Sequence, residues 1–359
     1  MQNELSKQEV ITGKLDTKYW VQKADPIALM RTVPFSLGEL KILDTYISRI
    51  NIADDTRRTV VFTKDEYEEM MGMTCANYRA LKKNTEGMLG KVVTLEMPNK
   101  EYLQFVLFEQ ARYHTDESGT PVVELTCTEP AKELFFCINK YHYFKYTLEN
   151  VISLTRKSSY LLYIYIRRNC FQKEWTIDLD ELRDNVLDCK GQESYQEFKV
   201  FKRDVLNPAS EEVNAKTDCQ FEYEAIRHGR KVASVKFIYK GTLNNDDKLS
   251  LENRLFIDET LSDEEVDEEE LMEKKYGSES LSFFAGAMNY EFSKEETRVL
   301  YDIILKYHIE PKNDAISRYD FIQRIYHKLL ERAADQSLPP LNSRYKYLKS
   351  MLKAELGEE

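Results

Sequence analysis

An apolar stripe at steps of three and four runs through residues 194–217, SYQEFKVFKRDVLNPASEEVNAKT, and two alternating runs joined by a charged turn follow it directly. A helix followed at once by a hairpin admits few folds. The stripe is Phe198, Phe201, Val205, Ala209 and Val213, the period of a helix with one buried side. The opposite side carries Gln196, Lys199, Arg203, Asn207 and Ser210, residue types that hydrogen-bond phosphate oxygens or base edges, with no acidic residue in the row. Glu197 and Asp204 fall on a flank. Pro208 predicts a kink, because it lacks the amide that would bond back to Asp204. Cys219 to Ile226 alternates, Arg227 to Lys231 is a charged turn with Arg230 inside it, and Val232 to Tyr239 alternates again. Helix plus basic-tipped hairpin is the layout of a winged helix. A surface helix with a merely solvated polar face fits the same pattern, so the rest of the chain must decide.

The same order of elements occurs once before. Ser36 and Glu39 form a capping-box pair ahead of a helix from Leu37 to Ile50, which buries Leu40, Leu43, Tyr46, Ile47 and Ile50. A strand at 58–63 leads through a second such pair, Thr63 with Glu66, into a helix from Lys64 to Met71. A third helix, Cys75 to Leu89, turns Tyr78, Leu81, Thr85 and Leu89 inward and Arg79, Lys82 and Lys83 outward. Lys91 to Met97, Tyr102 to Tyr113 and Pro121 to Thr126 read as strands, and Glu129 to Cys137 as a short helix. The order then restarts: helix Leu154 to Phe171, strand Glu174 to Ile177, and helix Leu179 to Val186 capped by Asp178. The expected fold class is α+β, with tandem winged-helix domains followed by an acidic linker and a small all-helical C-terminal module. Residues 1–26 are a lead-in, 27–145 the first winged helix, 146–242 the second, 243–275 the linker and 276–359 the module. In the module, Ser293 with Glu296 and then Asp314 start helices, and Ser337 to Pro340 breaks one.

Charge and chemistry narrow the function. The formal charge is −11, but residues 1–242 hold 36 acidic and 35 basic side chains, while 243–359 hold 26 and 16. Nine of those acids lie between Asp258 and Glu270. DNA contact must therefore come from local patches. The N-terminus has no apolar secretory core, the longest strongly apolar run, Tyr160 to Ile166, is too short for a bilayer, and six scattered cysteines form no CxxC. A reducing cytoplasm without membrane attachment is the expected location. No glycine sits in a GxxxxGK loop, so no nucleotide cradle is expected. The five histidines never pair at metal-ligand spacing, so neither a metal nor a metal-supported nicking tyrosine is expected. No enzyme activity and no cofactor are expected.

Several stretches resemble the plasmid replication initiators of the Rep type-3 family. Residues 35–51, FSLGELKILDTYISRIN, resemble its N-terminal signature, and 154–165, LTRKSSYLLYIY, the helix opening its second winged-helix domain. Residues 175–183, WTIDLDELR, are similar to its next strand and helix, 198–214 to its recognition helix with internal proline, and 229–238 to its closing wing. The resemblance spans about Ile27 to Gly241. It implies binding to double-stranded DNA at directly repeated origin sites, the iterons, with the second domain in a major groove and the first on adjacent backbone. It also implies a possible homodimer that represses the initiator's own promoter. Carried over, Lys199, Lys202 and Arg203 match the recognition helix, and Arg227, Arg230 and Lys231 the wing. Tyr163 stands where the family often has Arg before Leu-Tyr, which leaves that arginine's role without a counterpart. Lacking a P-loop, such a chain would recruit a host initiator, helicase or primase, with the C-terminal module the candidate recruiter. A winged-helix transcription regulator without a replication role is the alternative.

Overall fold

The computed structural model describes residues 10–11, 15–29, 34–50, 52, 55–72, 78–96, 102–116, 118–138, 141–243, 268–334, 341 and 343–357. The chain divides into two compact units, Met1–Leu251 and Glu252–Glu359. Most of the expected linker (244–267), the break at 337–340 and the expected helix start at Cys75 lie outside the described residues.

The first half of the first unit opens with β1 (Val10–Ile11), β2 (Trp20–Ala24) and a short α1 (Asp25–Ala28). Ser36 then caps α2 (Leu37–Arg49): its hydroxyl accepts from the Glu39 amide at 3.3 Å, and the Glu39 carboxylate accepts from the Ser36 amide at 2.5 Å. All five residues expected inward on this helix are buried. β3 (Thr59–Thr63) passes through the second capping box into α3 (Lys64–Met71), and α4 (Tyr78–Leu89) follows. On α4, Leu81 and Thr85 are buried, and Met88 takes the core position expected of Leu89.

The strand expected from Tyr102 to Tyr113 is two strands. β4 (Val92–Glu96) pairs with β5 (Tyr102–Val106), whereas β6 (Phe108–Thr115) joins β7 (Pro121–Cys127) in a sheet ordered β1-β3-β7-β6. The break falls at Leu107, whose side chain is buried and whose carbonyl accepts from the Thr128 amide at 3.0 Å, drawing the backbone out of either ladder. α5 (Glu129–Phe135), β8 (Tyr143–Thr147), antiparallel to β2, and α6 (Leu148–Ile152) close this half.

The second half begins with α7 (Lys157–Asn169) and β9 (Glu174–Asp178). α7 starts later than the expected Leu154; in the segment ahead of it the Thr155 amide and hydroxyl bond the Glu212 carboxylate. Asp178 caps the next turn by accepting from the Asp180 amide at 2.8 Å, and Glu181–Val186 is wound as a π-helix. α8 (Phe198–Phe201), a π-wound turn (Lys202–Leu206) and α9 (Asn207–Lys216) form one continuous helix over residues 198–216. β10 (Phe221–His228) and β11 (Lys231–Tyr239) pack with β9 in the order β10-β11-β9. One hydrophobic cluster runs through both halves, from Val21 to Tyr239.

A buried polar junction also ties the halves. Lys23 of β2 pairs with Asp44 of α2, and Asp44 Oδ2 accepts from Tyr146 Oη at 2.9 Å and Tyr160 Oη at 2.7 Å. Lys23 Nζ also donates to Tyr160 Oη at 2.8 Å. Burial disfavours the ammonium, and Asp44 works against that; burial likewise pushes both tyrosines well above their ordinary range. Beside this, Lys41 Nζ donates to the Ile152 carbonyl at 2.7 Å, and Arg168 of α7 holds Asp25 of α1 at 2.9 Å.

The second unit is helical throughout its described elements: α10 (Glu268–Tyr276), α11 (Glu279–Gly286), α12 (Lys294–Ile304), α13 (Ala315–Ala334) and α14 (Arg344–Leu356). α10 occupies the end of the stretch expected as linker, so ordered helix begins earlier than the sequence reading has it. Ser293 and Glu296 form the expected capping box, and Asp314 accepts from the Ser317 amide at 2.8 Å. No helix among the described residues is long and apolar enough to cross a membrane.

Candidate nucleic-acid interface

The helix over residues 198–216 handles Pro208 without losing continuity. The turn before it widens, and the Asn207 amide bonds the Lys202 carbonyl five residues back. The donor that Pro208 lacks therefore falls at a turn already wound to a different step, in place of a simple kink. The expected stripe is in the core: Phe201, Val205, Ala209 and Val213 are buried and Phe198 is half-buried.

Beyond the widened turn the buried side is broader than a single stripe. Leu206, Ser210 and Glu212 are buried as well, because α9 lies against α7. Ser210, expected on the outward row, is thus turned into the fold. Gln196 is exposed but belongs to a 3-10 turn, Glu193–Gln196, that precedes the helix. Asn207 is half-buried, and its Oδ1 accepts from the Tyr223 hydroxyl of β10. Tyr223 also lies under Lys202, whose Nζ is 5.6 Å from the ring centroid. Burial pushes the Tyr223 hydroxyl up to about 12, with Glu211 adding to the shift, so at neutral pH it stays a donor. Tyr223 knits helix to hairpin, a role that nothing in the sequence pattern marked.

Of the helix residues expected to face DNA, those near its start remain outward. Lys199, Lys202 and Arg203 are exposed there, with Arg203 paired to Asp204. The hairpin tip carries Arg227, Arg230 and Lys231, all exposed. His228 pairs with Lys231 across a two-residue loop, and Gly229 holds φ +65°, a conformation that favours glycine at this first loop position. The ladder shifts register between Ile226 and Arg227, a bulge that re-aims the tip. In the first half, Arg79, Lys82 and Lys83 are exposed along α4, with Lys82 3.8 Å from Glu86.

The anchor of α9 is Glu212. Its Oε1 accepts from the Thr155 amide at 2.9 Å, the Thr155 hydroxyl at 2.6 Å and Lys216 Nζ at 2.8 Å. Burial opposes the charge, but these bonds outweigh it and hold the carboxyl at about 2. Among the described residues, no group of three or more His, Cys, Asp or Glu side chains is placed to hold a metal ion.

Two family profiles match this unit: "Initiator Replication protein, WH1" over residues 20–167 and "Initiator Rep protein, WH2" over residues 178–239, together more than half of the chain. The chain belongs to the initiator replication protein family. Among relatives of this initiator family, a "Replication initiation protein" of Escherichia coli is 29% identical over 204 residues, 54% of this chain and 61% of that protein. The "PI protein" of Escherichia coli is 33% identical over 98 residues, 24% of this chain and 32% of that one. The matches thus cover less than two thirds of each relative's length. A solved structure of Pi initiator protein in complex with iteron DNA superposes with a TM-score of 0.53 at 21% identity, covering 64% of this chain and all of that one. The WH1 match runs from the start of β2 into α7, and the WH2 match from the end of β9 to the end of β11.

Proposed function

We propose that this chain is a sequence-specific DNA-binding initiator of plasmid replication that binds repeated origin sites in the bacterial cytoplasm and performs no catalysis of its own. The observation that carries the reading is the second winged helix. There Lys199, Lys202 and Arg203 are exposed at the start of a helix packed into the fold along Phe201, Val205, Ala209 and Val213, beside a basic hairpin tip. In helix-turn-helix proteins, the N-terminal residues of such a helix contact base edges. Family membership adds a replication context, and a related solved protein is described with iteron DNA.

In this reading residues 146–242 read the site, and residues 27–145 contact adjacent backbone through Arg79, Lys82 and Lys83 and offer the surface for a homodimer. Residues 243–275 tether the helical module, and residues 276–359 recruit a host initiator, helicase or primase. Lys202, Arg227, Arg230 and Lys231 hold phosphates, while Lys199 and Arg203 read bases. Gln196 and Asn207 flank the read positions.

Competition titrations separate these roles. Arg203→Ala is expected to reduce discrimination between a selected site and a scrambled duplex by about 1–3 kcal/mol. Lys82→Ala is expected to weaken both duplexes equally. Equal losses from both variants on both duplexes overturn the division of roles. Truncation before residue 276 is expected to spare binding and abolish replication of a plasmid carrying the origin, and a replicating truncation removes the recruiting role.

A further inference from the structure

Arg203 meets solvent with one edge already occupied. Its Nε donates to Asp204 Oδ1 at 2.6 Å and its Nη2 to Asp204 Oδ2 at 2.8 Å. A guanidinium carries five N–H donors in a fixed fork. Side-on pairing uses the Nε hydrogen and one Nη2 hydrogen. The end of the fork, one hydrogen on each Nη, stays open, and two parallel donors there match guanine O6 and N7.

The molecule contains its own contrast. Arg183 makes the same side-on pair with Asp184, at 2.7 and 2.8 Å, but its Nη2 also meets Asp180 at 2.9 Å and its side chain is 4% exposed. That arginine is enclosed by the fold. The Arg203 side chain is 70% exposed, so its open end faces outward.

We propose that Asp204 is a specificity-determining residue: it orients Arg203 so that the open end of the guanidinium reads a guanine. This deepens the proposed reading of DNA by the helix and rests on it. Asp204 acts through Arg203, and its charge has a second consequence. A carboxylate near the phosphates repels DNA of any sequence, so it lowers nonspecific affinity while sharpening the choice of base. An exposed ion pair contributes little to folding, so removing it leaves stability unchanged.

The test uses the full chain and a randomised duplex library. Wild type, Asp204→Asn, Arg203→Ala and the double variant are each carried through selection. Titrations follow on the duplex enriched by wild type and on its single-base variants. Wild type is expected to enrich a guanine at a position that Arg203→Ala loses. Asp204→Asn is expected to lower preference for that guanine by about 5- to 150-fold, the range of one bidentate contact. It should also bind scrambled duplex more tightly than wild type, and the double variant should show no further loss of preference. If Arg203→Ala changes no position, base reading by Arg203 fails and the role of Asp204 fails with it. If Arg203→Ala loses the guanine while Asp204→Asn keeps it, DNA reading stands and only the role of Asp204 is overturned.

Discussion

Replacing Glu212 by Gln removes one charge where α9 meets the segment ahead of α7. Glu212 is 8% exposed, and a single oxygen, Oε1, takes bonds from Thr155 and Lys216. Its carboxyl sits at about 2 in the fold against an ordinary 4.5. At ~1.36 kcal/mol per unit, that difference favours the ionised form in the folded state by about 3 kcal/mol. Gln keeps an acceptor for Thr155 but loses the charge that Lys216 faces, so a loss of about 2–3 kcal/mol at pH 7 is expected. The sign follows from the lowered pKa. The contribution is complete above pH 4.5 and is lost as pH falls toward 2, having shrunk by about 1.4 kcal/mol at pH 3.5. Urea titration by tryptophan fluorescence is the assay, since both tryptophans, Trp20 and Trp175, lie in the first unit and report on it alone. The gap between variant and wild type should be largest at neutral pH and narrow below 4.5. Equal midpoints at pH 7, or a gap unchanged down to pH 3.5, refute the view that one buried carboxylate anchors the helix.

The remaining expectations concern the junction and the core. Asp44→Asn strips the counter-charge from buried Lys23 and should cost about 3–5 kcal/mol, much of it recovered when Lys23→Met is added. Strict additivity in that double-mutant cycle contradicts the pairing. Lys41 is held at about 8 against 10.5, chiefly by burial, so its charge burdens the fold below pH 8 and the burden lifts as pH rises to 10.5. Wild type should therefore gain on Lys41→Met by up to about 3 kcal/mol across that window, and parallel stability curves count against it. Phe201→Ala empties a fully buried position and should lower stability by about 3–5 kcal/mol, read from the same urea midpoint.

The fold was legible wherever local chemistry sets it. The Ser36, Thr63 and Ser293 capping boxes mark helix starts because the bonds lie within four residues of chain. The inward residues of α2 follow from period alone. The misses have non-local causes. Leu107 breaks an apparent single strand because of a partner twenty-one residues away, and Thr155, just ahead of α7, is bonded to Glu212, 57 residues on. Nothing near either residue in the chain announces those partners. The junction was equally hidden: Lys23, Asp44, Tyr146 and Tyr160 come from four elements, and only the fold brings them together.

The exposure of the helix's outward row was legible as far as Arg203 and failed at Ser210, for one physical reason. Counting faces by threes and fours assumes a constant 3.6 residues per turn. The π-wound turn at Lys202–Leu206 ends that constancy, and Ser210 then falls on the buried side. The same turn accounts for the pairing that sequence spacing placed on a flank. On an α-helix, side chains at i and i+1 do not face each other. A wider turn rotates less per residue, so neighbouring side chains come closer in direction. Both side-on arginine–aspartate pairs between adjacent residues lie in such turns, Arg203 with Asp204 in Lys202–Leu206 and Arg183 with Asp184 in Glu181–Val186. The proline that looked like an interruption of the helix over residues 198–216 thus sits beside the winding that gives Arg203 its partner. Winding the turn back to α geometry would free Arg203 from Asp204 while leaving both residues on the surface.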